Sequence, residues 1–358
     1  MATILRTIQI PLFIKIETGS LSMIRSILDE HHLHFQKPLV ISEEHILELG
    51  GNDAVHALGD PATVLFSESS IEEGNNLAAE IRDKGNDLVV SIGGGRVIDL
   101  GKYAATKAGV NYISIPTSPS NDGICSPVAV LVNEQGKTES IGVNMPIGIL
   151  VDTKLLTTAP VNNIKAGIGD LVSNYSAIAD WKLAYAQGKE RMDDFAASMA
   201  YSSAELIFDT CRGSSIDLRS GDFLEKLVHG LILSGIAMNI AGNSRPCSGA
   251  EHEISHAIDL LYPGSSLHGL QVCYGTLVAA FLRDEPIAEF LNFLHAVDMP
   301  AHHSKLGLSD EQFVEVLLKA PETRPERYTI LEKLNMNKKE AEQRVAELNQ
   351  AIKNADNG

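Results

Sequence analysis

The sequence is poor in several features that would assign it to a class at once. Its 358 residues include four cysteines (Cys125, Cys211, Cys247 and Cys273) that form no CxxC pair, so we predict no disulfide framework. Positive charge is also scarce, because 29 basic residues against 46 acidic ones leave a formal net charge of −17. Nucleic-acid phosphates are bound by basic faces, so a nucleic-acid partner is not expected.

Signals for a membrane are missing as well. We find no apolar stretch of the roughly 18–20 residues that cross a bilayer. The first eleven residues contain no basic region followed by an apolar run. We therefore expect no membrane span, no signal peptide and a soluble protein of the cytoplasm.

The composition is that of a globular chain, with 44% apolar and 21% charged residues. At roughly 100–200 residues per domain, the length predicts two domains or one large α/β unit. Over the first 150 residues, short apolar runs alternate with helical patterns, as in a doubly wound parallel sheet. The runs predict strands at 38–42, 62–66, 87–92, 112–115 and 147–151, and a hairpin of 128–132 with 138–141.

Beyond residue 151 the pattern changes to amphipathic helix, continuous from about 162 to 282 and repeated at 285–297, 310–319 and 338–354. We therefore predict an α/β fold with two domains. Residues 1–156 form an N-terminal doubly wound, Rossmann-like dinucleotide-binding domain. Residues 157–358 form an all-helical C-terminal domain that binds metal and substrate.

The strongest local motif is Gly93, Gly94 and Gly95, directly after a predicted strand and before a predicted helix at about 96–109. Glycines let a backbone approach a pyrophosphate, and the amides of a following helix N-terminus favour anions. The motif is neither GxGxxG nor Walker A. A tight turn without a ligand is the alternative.

A second loop follows the strand at 112–115 and runs from Pro116 to Pro127. Its hydroxyls suit sugar or phosphate oxygens, and Asp122 could hold a substrate hydroxyl. Such loops at the carboxyl ends of parallel strands are where these folds bind ligands. A plain Ser/Pro-rich connection is the alternative.

A third, dispersed set consists of Asp170, His252, His256 and His268. His252 and His256 are spaced i,i+4, so both imidazoles lie on one helix face. One carboxylate with imidazoles and an open position suits a catalytic divalent metal such as zinc. The segment 252–256 also matches the HExxH zinc-protease pattern, in which Glu253 would be the general base.

Taken together, these segments resemble the sn-glycerol-1-phosphate dehydrogenase family, in the larger group with glycerol dehydrogenase, iron-type alcohol dehydrogenases and dehydroquinate synthase. The matches fall in order over about two thirds of the chain. They are 93–99 with Lys102, 116–117, 122–127, 169–170, 248–252, 255–256, 267–271 and 323–331.

The resemblance implies a metal-dependent reduction of dihydroxyacetone phosphate to sn-glycerol 1-phosphate by NAD(P)H, and hence a part in phospholipid biosynthesis. By position, Asp170, His252 and His268 correspond to metal ligands, and Asp122, Asp170 and His256 to catalytic, substrate-contacting residues. The implied metal is zinc, with nickel and iron as alternatives. The implied cofactor-binding residues are Gly93, Gly94, Gly95, Arg96, Val97, Thr117, Ser118, Ser120 and Ser126. A homo-oligomer is expected.

Four questions stay open at this point. The family usually has His where this chain has Asn121, beside the substrate. Arg245 is a candidate anchor for the substrate phosphate, and either metal-bound water or His256 could donate the proton. Glu43, at the end of an early strand, lies where relatives place an acidic residue that favours NADH over NADPH, although it could equally belong to the first turn of the next helix.

Other functions were weighed against this one. A dehydroquinate-synthase-like lyase or cyclase also uses NAD and a metal, but the loop 117–127 contains no lysine to hold a polyanionic substrate. The remaining alternatives are an HExxH-type zinc hydrolase and a ligand-binding protein that has lost catalysis.

Overall fold

The computed structural model describes residues 8–212 and 216–356, apart from the side chain of Asp356. The first seven residues of the segment considered for a signal peptide lie outside the described part. Two compact units are present: the chain up to Val161 together with Leu218–Ile240, and Asn162–Asp217 together with the chain from Ala241 onward.

The first unit is built on a six-stranded sheet, with strand order β1-β8-β5-β4-β2-β3 and all neighbours parallel. A separate antiparallel hairpin consists of β6 and β7. The strands are β1 (Phe13–Ile16), β2 (Pro38–Ser42), β3 (Ala62–Leu65), β4 (Leu88–Gly93), β5 (Asn111–Pro116), β6 (Val128–Val132), β7 (Thr138–Gly142) and β8 (Gly148–Val151).

In the described residues, the helices of this unit are α1 (Ile24–Glu30), α2 (Glu44–Ile46), α3 (Asn52–Ala57), α4 (Ile71–Lys84), α5 (Gly95–Ala108), α6 (Thr153–Leu156) and α10 (Gly221–Ala241). Five of them connect successive strands in the sequence, and α6 follows the last strand. The seventh, α10, comes from much later in the chain. Both faces of the sheet are covered: Val40 of β2 packs into one apolar cluster, whereas its neighbours Leu39 and Ile41 pack into another. This two-sided burial is why the strands are nearly continuous apolar runs.

The regular elements in the described residues of the second unit are helices, joined by turns and loops, and include no strand. Its helices are α7 (Val161–Val172), α8 (Asn174–Ala186), α9 (Asp194–Cys211), α11 (Ala250–Leu261), α12 (His268–Leu282), α13 (Ala288–Ala296), α14 (Asp310–Lys319), α15 (Ile330–Leu334) and α16 (Lys338–Asp356). The predicted α/β fold with a helical C-terminal part is confirmed.

All five predicted sheet strands and the hairpin are present, with ends that differ by at most one residue. The prediction missed β1. This strand pairs with β8 at the edge of the sheet, and Lys15 interrupts its apolar residues, unlike the nearly continuous runs of the predicted strands.

The observed units differ from the predicted division at residues 156 and 157. The boundary lies after Val161, and Leu218–Ile240, expected in the second domain, belongs to the first unit. The reason is a tertiary contact of α10 with the loop after β5, which no local pattern reveals.

α10 also corrects the expectation that no stretch is long enough to cross a membrane. It has 21 residues, and its most apolar 18-residue window reaches a mean hydropathy of 1.3. However, 67% of that window is buried inside the protein, as in the core helix of a globular fold. Among the described residues, it is the one helix that meets this length and composition test.

Candidate active site

The glycine-rich loop lies where β4 ends and α5 begins, at the carboxyl edge of the sheet. Gly93 must be glycine because a Cβ there would lie 2.7 Å from the Cβ of buried Val97. Gly94 has φ −75°, which any residue can adopt, and its Cβ would meet no atom within 4 Å. The backbone of Gly94 is therefore not covered by other described atoms in the direction of a Cβ, and a ligand could occupy this space.

The first turn of α5 suits an anion. Gly94 is the N-cap and supplies no side-chain cap, and the first turn contains no acidic residue. The amides at such a helix start favour a phosphate. Arg96 is exposed in this turn. Its guanidinium lies 5.6 Å from the centre of the ring of Phe66, the residue that follows β3 in the chain.

The loop after β5 lies beside the glycines. The amide of Thr117 donates to the carbonyl of Gly93 at 3.0 Å, and a Cβ on Gly95 would lie 3.9 Å from the hydroxyl of Ser120. The hydroxyl of Ser118 is buried and has no hydrogen-bond partner among the residues that the structure describes. A buried polar atom of this kind is unusual and fits a ligand that completes its bonding.

Two further predicted cofactor residues have different surroundings. Glu43 follows β2 in extended conformation and is the N-cap residue of α2, but its side chain makes no capping hydrogen bond, and Glu44 is the acidic residue of the first turn. Since Ser42 pairs with Ile92 in the sheet, Glu43 lies next to the glycine-rich loop. Ser126 is buried, and its hydroxyl donates to the carbonyl of Val128 at 3.2 Å, within its own loop.

Asp122 is half-buried at the start of a short 3-10 turn (Asp122–Ile124) capped by Asn121. Ser234 of α10 donates to Asp122 Oδ2 at 3.0 Å. Burial raises the pKa of Asp122 to about 6, although the Ser234 hydrogen bond and the positive charge of Lys102 oppose this shift. The side chain of Asn121, where the family usually has His, faces Gly95: its Nδ2 would lie 3.3 Å from a Cβ there.

In the second unit, Asp170, His252 and His268 offer ligand atoms that all lie within 4.8 Å of one another. They come from α7, α11 and the first residue of α12. His268 Nε2 lies 3.7 Å from Asp170 Oδ1. His256 is close to this group but outside it, with its ring centre 6.3 Å from that of His252 and 6.4 Å from that of His268.

Two glycines next to the ligands allow this approach. A Cβ on Gly169 would lie 2.1 Å from the carbonyl oxygen of Gly269, and a Cβ on Gly269 would lie 1.9 Å from that of Ala166. α7 and α12 therefore touch backbone to backbone, which brings Asp170 to His268.

Hydrogen bonds orient the imidazole of His268. Ser255 Oγ donates to Gln271 Oε1 at 2.6 Å, so it accepts from His268 Nδ1, 2.9 Å away. Gln271 is held in turn, because its Nε2 donates to Asp259 Oδ1 at 3.0 Å. With the proton on Nδ1, His268 presents the lone pair of Nε2 toward Asp170.

His252 is oriented in the same way, since its Nδ1 donates to buried Glu251 Oε1 at 2.9 Å. Burial lowers the pKa of His252, His256 and His268, and the nearby positive charge of Arg324 contributes at each. Neutral imidazoles with Nδ1 held and Nε2 open are the form that binds a metal. The donor set fits a divalent cation such as zinc.

The sequence prediction assigned no role to Glu251, Ser255 or Gln271, although all three lie in the segments that resemble the family. Their function depends on which imidazole nitrogen each one faces, and spacing does not show this.

The HExxH interpretation does not fit this arrangement. Glu253, which would be the general base, is fully buried and accepts a hydrogen bond from Thr329 Oγ1 at 3.0 Å. Burial, with repulsion from Glu332, raises the pKa of Glu253 to about 9. Moreover, it is His268 and not His256 that joins His252 and Asp170.

Arg245, the candidate anchor for the substrate phosphate, is held by several contacts. Its guanidinium is buried, with Nε 2.8 Å from Glu190 Oε2, and Nη2 donates to the carbonyl of Tyr328 at 3.0 Å. These contacts tie Arg245 to the helical framework, whereas its Nη1 is buried without a hydrogen-bond partner among the described residues.

A second group, His302, His303 and Asp310, also has ligand atoms within 4.8 Å of one another. Both nitrogens of His303 are already engaged: Nε2 lies 2.8 Å from Asp310 Oδ1 and Nδ1 lies 3.2 Å from Tyr274 OH. His302 Nδ1 accepts from the amide of Ser304. These bonds define a structural cluster.

Known proteins share both the sequence and the fold. The family model described as iron-containing alcohol dehydrogenase matches residues 15–160. A glycerol-1-phosphate dehydrogenase with NAD(P)+ from Hyperthermus butylicus is 36% identical over 330 residues, which are 91% of this chain and 94% of the relative. One of the same name from Pyrococcus horikoshii is 39% identical over 280 residues, or 78% and 80% of the two chains.

Solved structures agree on the fold. A probable glycerol dehydrogenase from Sinorhizobium meliloti superimposes with a TM-score of 0.78 at 21% identity, covering 98% of this chain and 99% of that one. A sulfoacetaldehyde reductase from Bifidobacterium kashiwanohense, solved in complex with NAD+, gives a TM-score of 0.72 at 16% identity, with 97% and 99% covered.

These relatives define the chain as an oxidoreductase that acts on a CH–OH group. Within that class, the chain belongs to the glycerol-1-phosphate dehydrogenase family. The predicted family and the predicted oxidoreductase class are confirmed.

Proposed function

We propose that this protein reduces dihydroxyacetone phosphate, or a closely similar small phosphorylated ketone, to sn-glycerol 1-phosphate with NAD(P)H and a divalent metal. The observation that carries the proposal is the group of Asp170, His252 and His268, in a chain so similar to glycerol-1-phosphate dehydrogenases. A dehydroquinate-synthase-like reaction gains no comparable support.

Asp170, His252 and His268 are the metal ligands in this proposal, and zinc is the favoured ion, with nickel and iron as alternatives. When bound, the metal would act as a Lewis acid on the substrate carbonyl. Glu251 and Ser255 keep the protons of His252 and His268 on Nδ1, so that both Nε2 atoms stay available.

Other residues bind and orient the substrate. Asp122, held by Ser234, orients a substrate hydroxyl, and His256 makes a substrate contact beside the metal group. We assign the phosphate to Arg324. Arg324 is partly exposed. It follows a 3-10 turn (Ala320–Thr323), and this turn is held against α11 by the hydrogen bond from Thr323 Oγ1 to the Glu253 carbonyl. Its positive charge also contributes to the lowered pKa of each of the three imidazoles.

The nicotinamide dinucleotide binds at the glycine-rich loop and the loop after β5. The open space at Gly94 and the unpartnered hydroxyl of Ser118 support this assignment. NADH is the favoured form, because Glu43 lies outside the first turn of α2, next to the loop, where its carboxylate would bind ribose hydroxyls and repel a 2′-phosphate.

The wider setting of the enzyme is part of the proposal. Burial of α10 within the first unit supports a protein without a membrane span, and we propose that it is a soluble enzyme of the cytoplasm. An sn-glycerol 1-phosphate product would supply phospholipid biosynthesis. We expect a homo-oligomer, which sedimentation of the purified protein would test.

The test is to follow the loss of NADH absorbance on adding dihydroxyacetone phosphate to metal-loaded protein, with unphosphorylated dihydroxyacetone as the matched substrate. We expect turnover of the phosphate ester, little with dihydroxyacetone, and a product that sn-glycerol-3-phosphate dehydrogenase does not oxidise. Equal activity on both ketones, or none on either, would refute the proposed substrate.

A further inference from the structure

Lys102 is an unusual residue because its side chain is completely buried in α5, under the loop that follows β5. Its Nζ donates to the carbonyl of Val128 at 2.6 Å and to that of Gly123 at 2.7 Å, and it lies 3.1 Å from Asp99 Oδ1. An ammonium has three donors, so all three are committed.

These contacts enclose one segment of chain. The two carbonyls belong to Gly123 and Val128, on either side of the connection between Asp122 and β6. Asp99 extends the attachment, since its Oδ2 accepts from the amide of Val130 at 3.2 Å. The segment from Gly123 to Val130 is therefore hydrogen-bonded to α5 at both of its ends.

A second element holds the same loop independently. Ser234 of α10 donates to Asp122 Oδ2, and a Cβ on neighbouring Gly235 would lie 2.6 Å from the carbonyl carbon of Cys125. Asp122 is thus placed from one side by α10 and from the other by Lys102, which lies within electrostatic range of its carboxylate.

Stability alone does not call for a charge at this position. Buried ion pairs often contribute no more to folding than apolar side chains of similar volume, because both charges lose their water. An ammonium differs from an apolar side chain in fixing several acceptors in a defined geometry. All three of the acceptors here belong to, or hold, the loop that carries Asp122.

We propose that Lys102 is a positioning residue for the reaction. Its ammonium fastens the Gly123 and Val128 carbonyls and so fixes Asp122 where it contacts the substrate. The link to the substrate rests on the proposed function, whereas the fastening of the loop does not.

The fastening is tested by hydrogen exchange on the protein without substrate, comparing Lys102→Met with Lys107→Met. Lys107 is an exposed lysine on the same helix and serves as the matched control. We expect amides in 121–130 to exchange about tenfold faster or more in Lys102→Met only. Unchanged exchange in this segment would overturn the proposal. If Lys102→Met does not fold, Asp99→Asn is used, with the same expectation.

The link to the substrate is tested by a double-mutant cycle with Asp122→Ala. We expect Lys102→Met to lower kcat by about 10–100-fold, and to have almost no further effect when Asp122 is already alanine. Lys102→Arg, which keeps the positive charge, should have a higher kcat than Lys102→Met. The control variant Lys107→Met should have the kcat of the parent protein. Additive losses would mean that Lys102 acts only through overall stability and would refute the positioning role.

The two arms also separate this inference from the proposed function. A parent protein that is inactive on dihydroxyacetone phosphate would refute the proposed substrate, while the exchange measurement would still decide whether Lys102 fastens the loop.

Discussion

The contact between α7 and α12 gives the sharpest prediction, for the substitution Gly269→Ala. The new Cβ would lie 1.9 Å from the carbonyl oxygen of Ala166, and ordinary contact begins at 3.4 Å, so the helices must separate by about 1.5 Å. The obstructing atoms are backbone and cannot rotate away. We therefore expect a loss of about 1–3 kcal/mol in the free energy of unfolding, as in other overpacked interiors.

The predicted destabilisation is opposite to what helix propensity alone predicts, because alanine in a helix is otherwise about 1 kcal/mol more favourable than glycine. Gly221→Ala is the matched control: it lies at the start of α10, with no atom within 4 Å of the new Cβ, and should be neutral or stabilising. Urea unfolding followed by circular dichroism measures both variants.

The same displacement should weaken metal binding. His268 is the residue next to Gly269, and moving α12 away from α7 lengthens its distance to Asp170. We expect metal affinity to fall by about 10–100-fold, the usual effect of disturbing the residues that orient ligands, measured by competition with a chelating dye. Parental stability and metal affinity in Gly269→Ala would refute the close crossing of these helices.

Four further predictions concern the proposed chemistry. His268→Ala should remove the bound divalent metal, measured by elemental analysis, whereas alanine at exposed His229 should leave the metal content unchanged. Asp122→Ala should lower turnover and leave NADH affinity, measured by fluorescence titration, nearly intact; lost affinity with full turnover would contradict this role. Because the pKa of Asp122 is raised to about 6 and the carboxylate is the form that accepts a substrate hydroxyl, kcat/KM should fall as the pH drops through about 6, and Asp122→Asn should lack that limb. The parent should prefer NADH to NADPH, and Glu43→Ser should reduce the preference; equal kcat/KM for the two cofactors in the parent would refute it.

The sheet could be predicted closely because burial on both faces makes each inner strand an apolar run. β1 could not be predicted in this way, because Lys15 interrupts its short run of apolar residues, whereas β3, the other edge strand, contains no charged residue. The membership of α10 in the first unit was equally hidden. It depends on a contact between Ser234 and Asp122, which are 112 residues apart in the chain.

For the metal group, spacing showed only that His252 and His256 share a helix face. Which of them joins Asp170 and His268 depends on how α11 lies against α12, and this is fixed by tertiary packing. The resemblance to a family supplied the choice of His252, and the orienting residues Glu251 and Ser255 became visible only with the structure.

The return of α10 to the first unit has a consequence for how the protein is made. The sheet is complete once β8 ends at Val151, but the helix that holds Asp122 is not synthesised until residue 241. In between, the ribosome produces the first three helices of the other unit. A nascent chain released at residue 161 would contain all six sheet strands and yet leave Asp122 without Ser234 and the Cys125 backbone without Gly235. We therefore expect such a fragment to expose apolar surface and bind chaperones, and a fragment ending after α10 to bind them less.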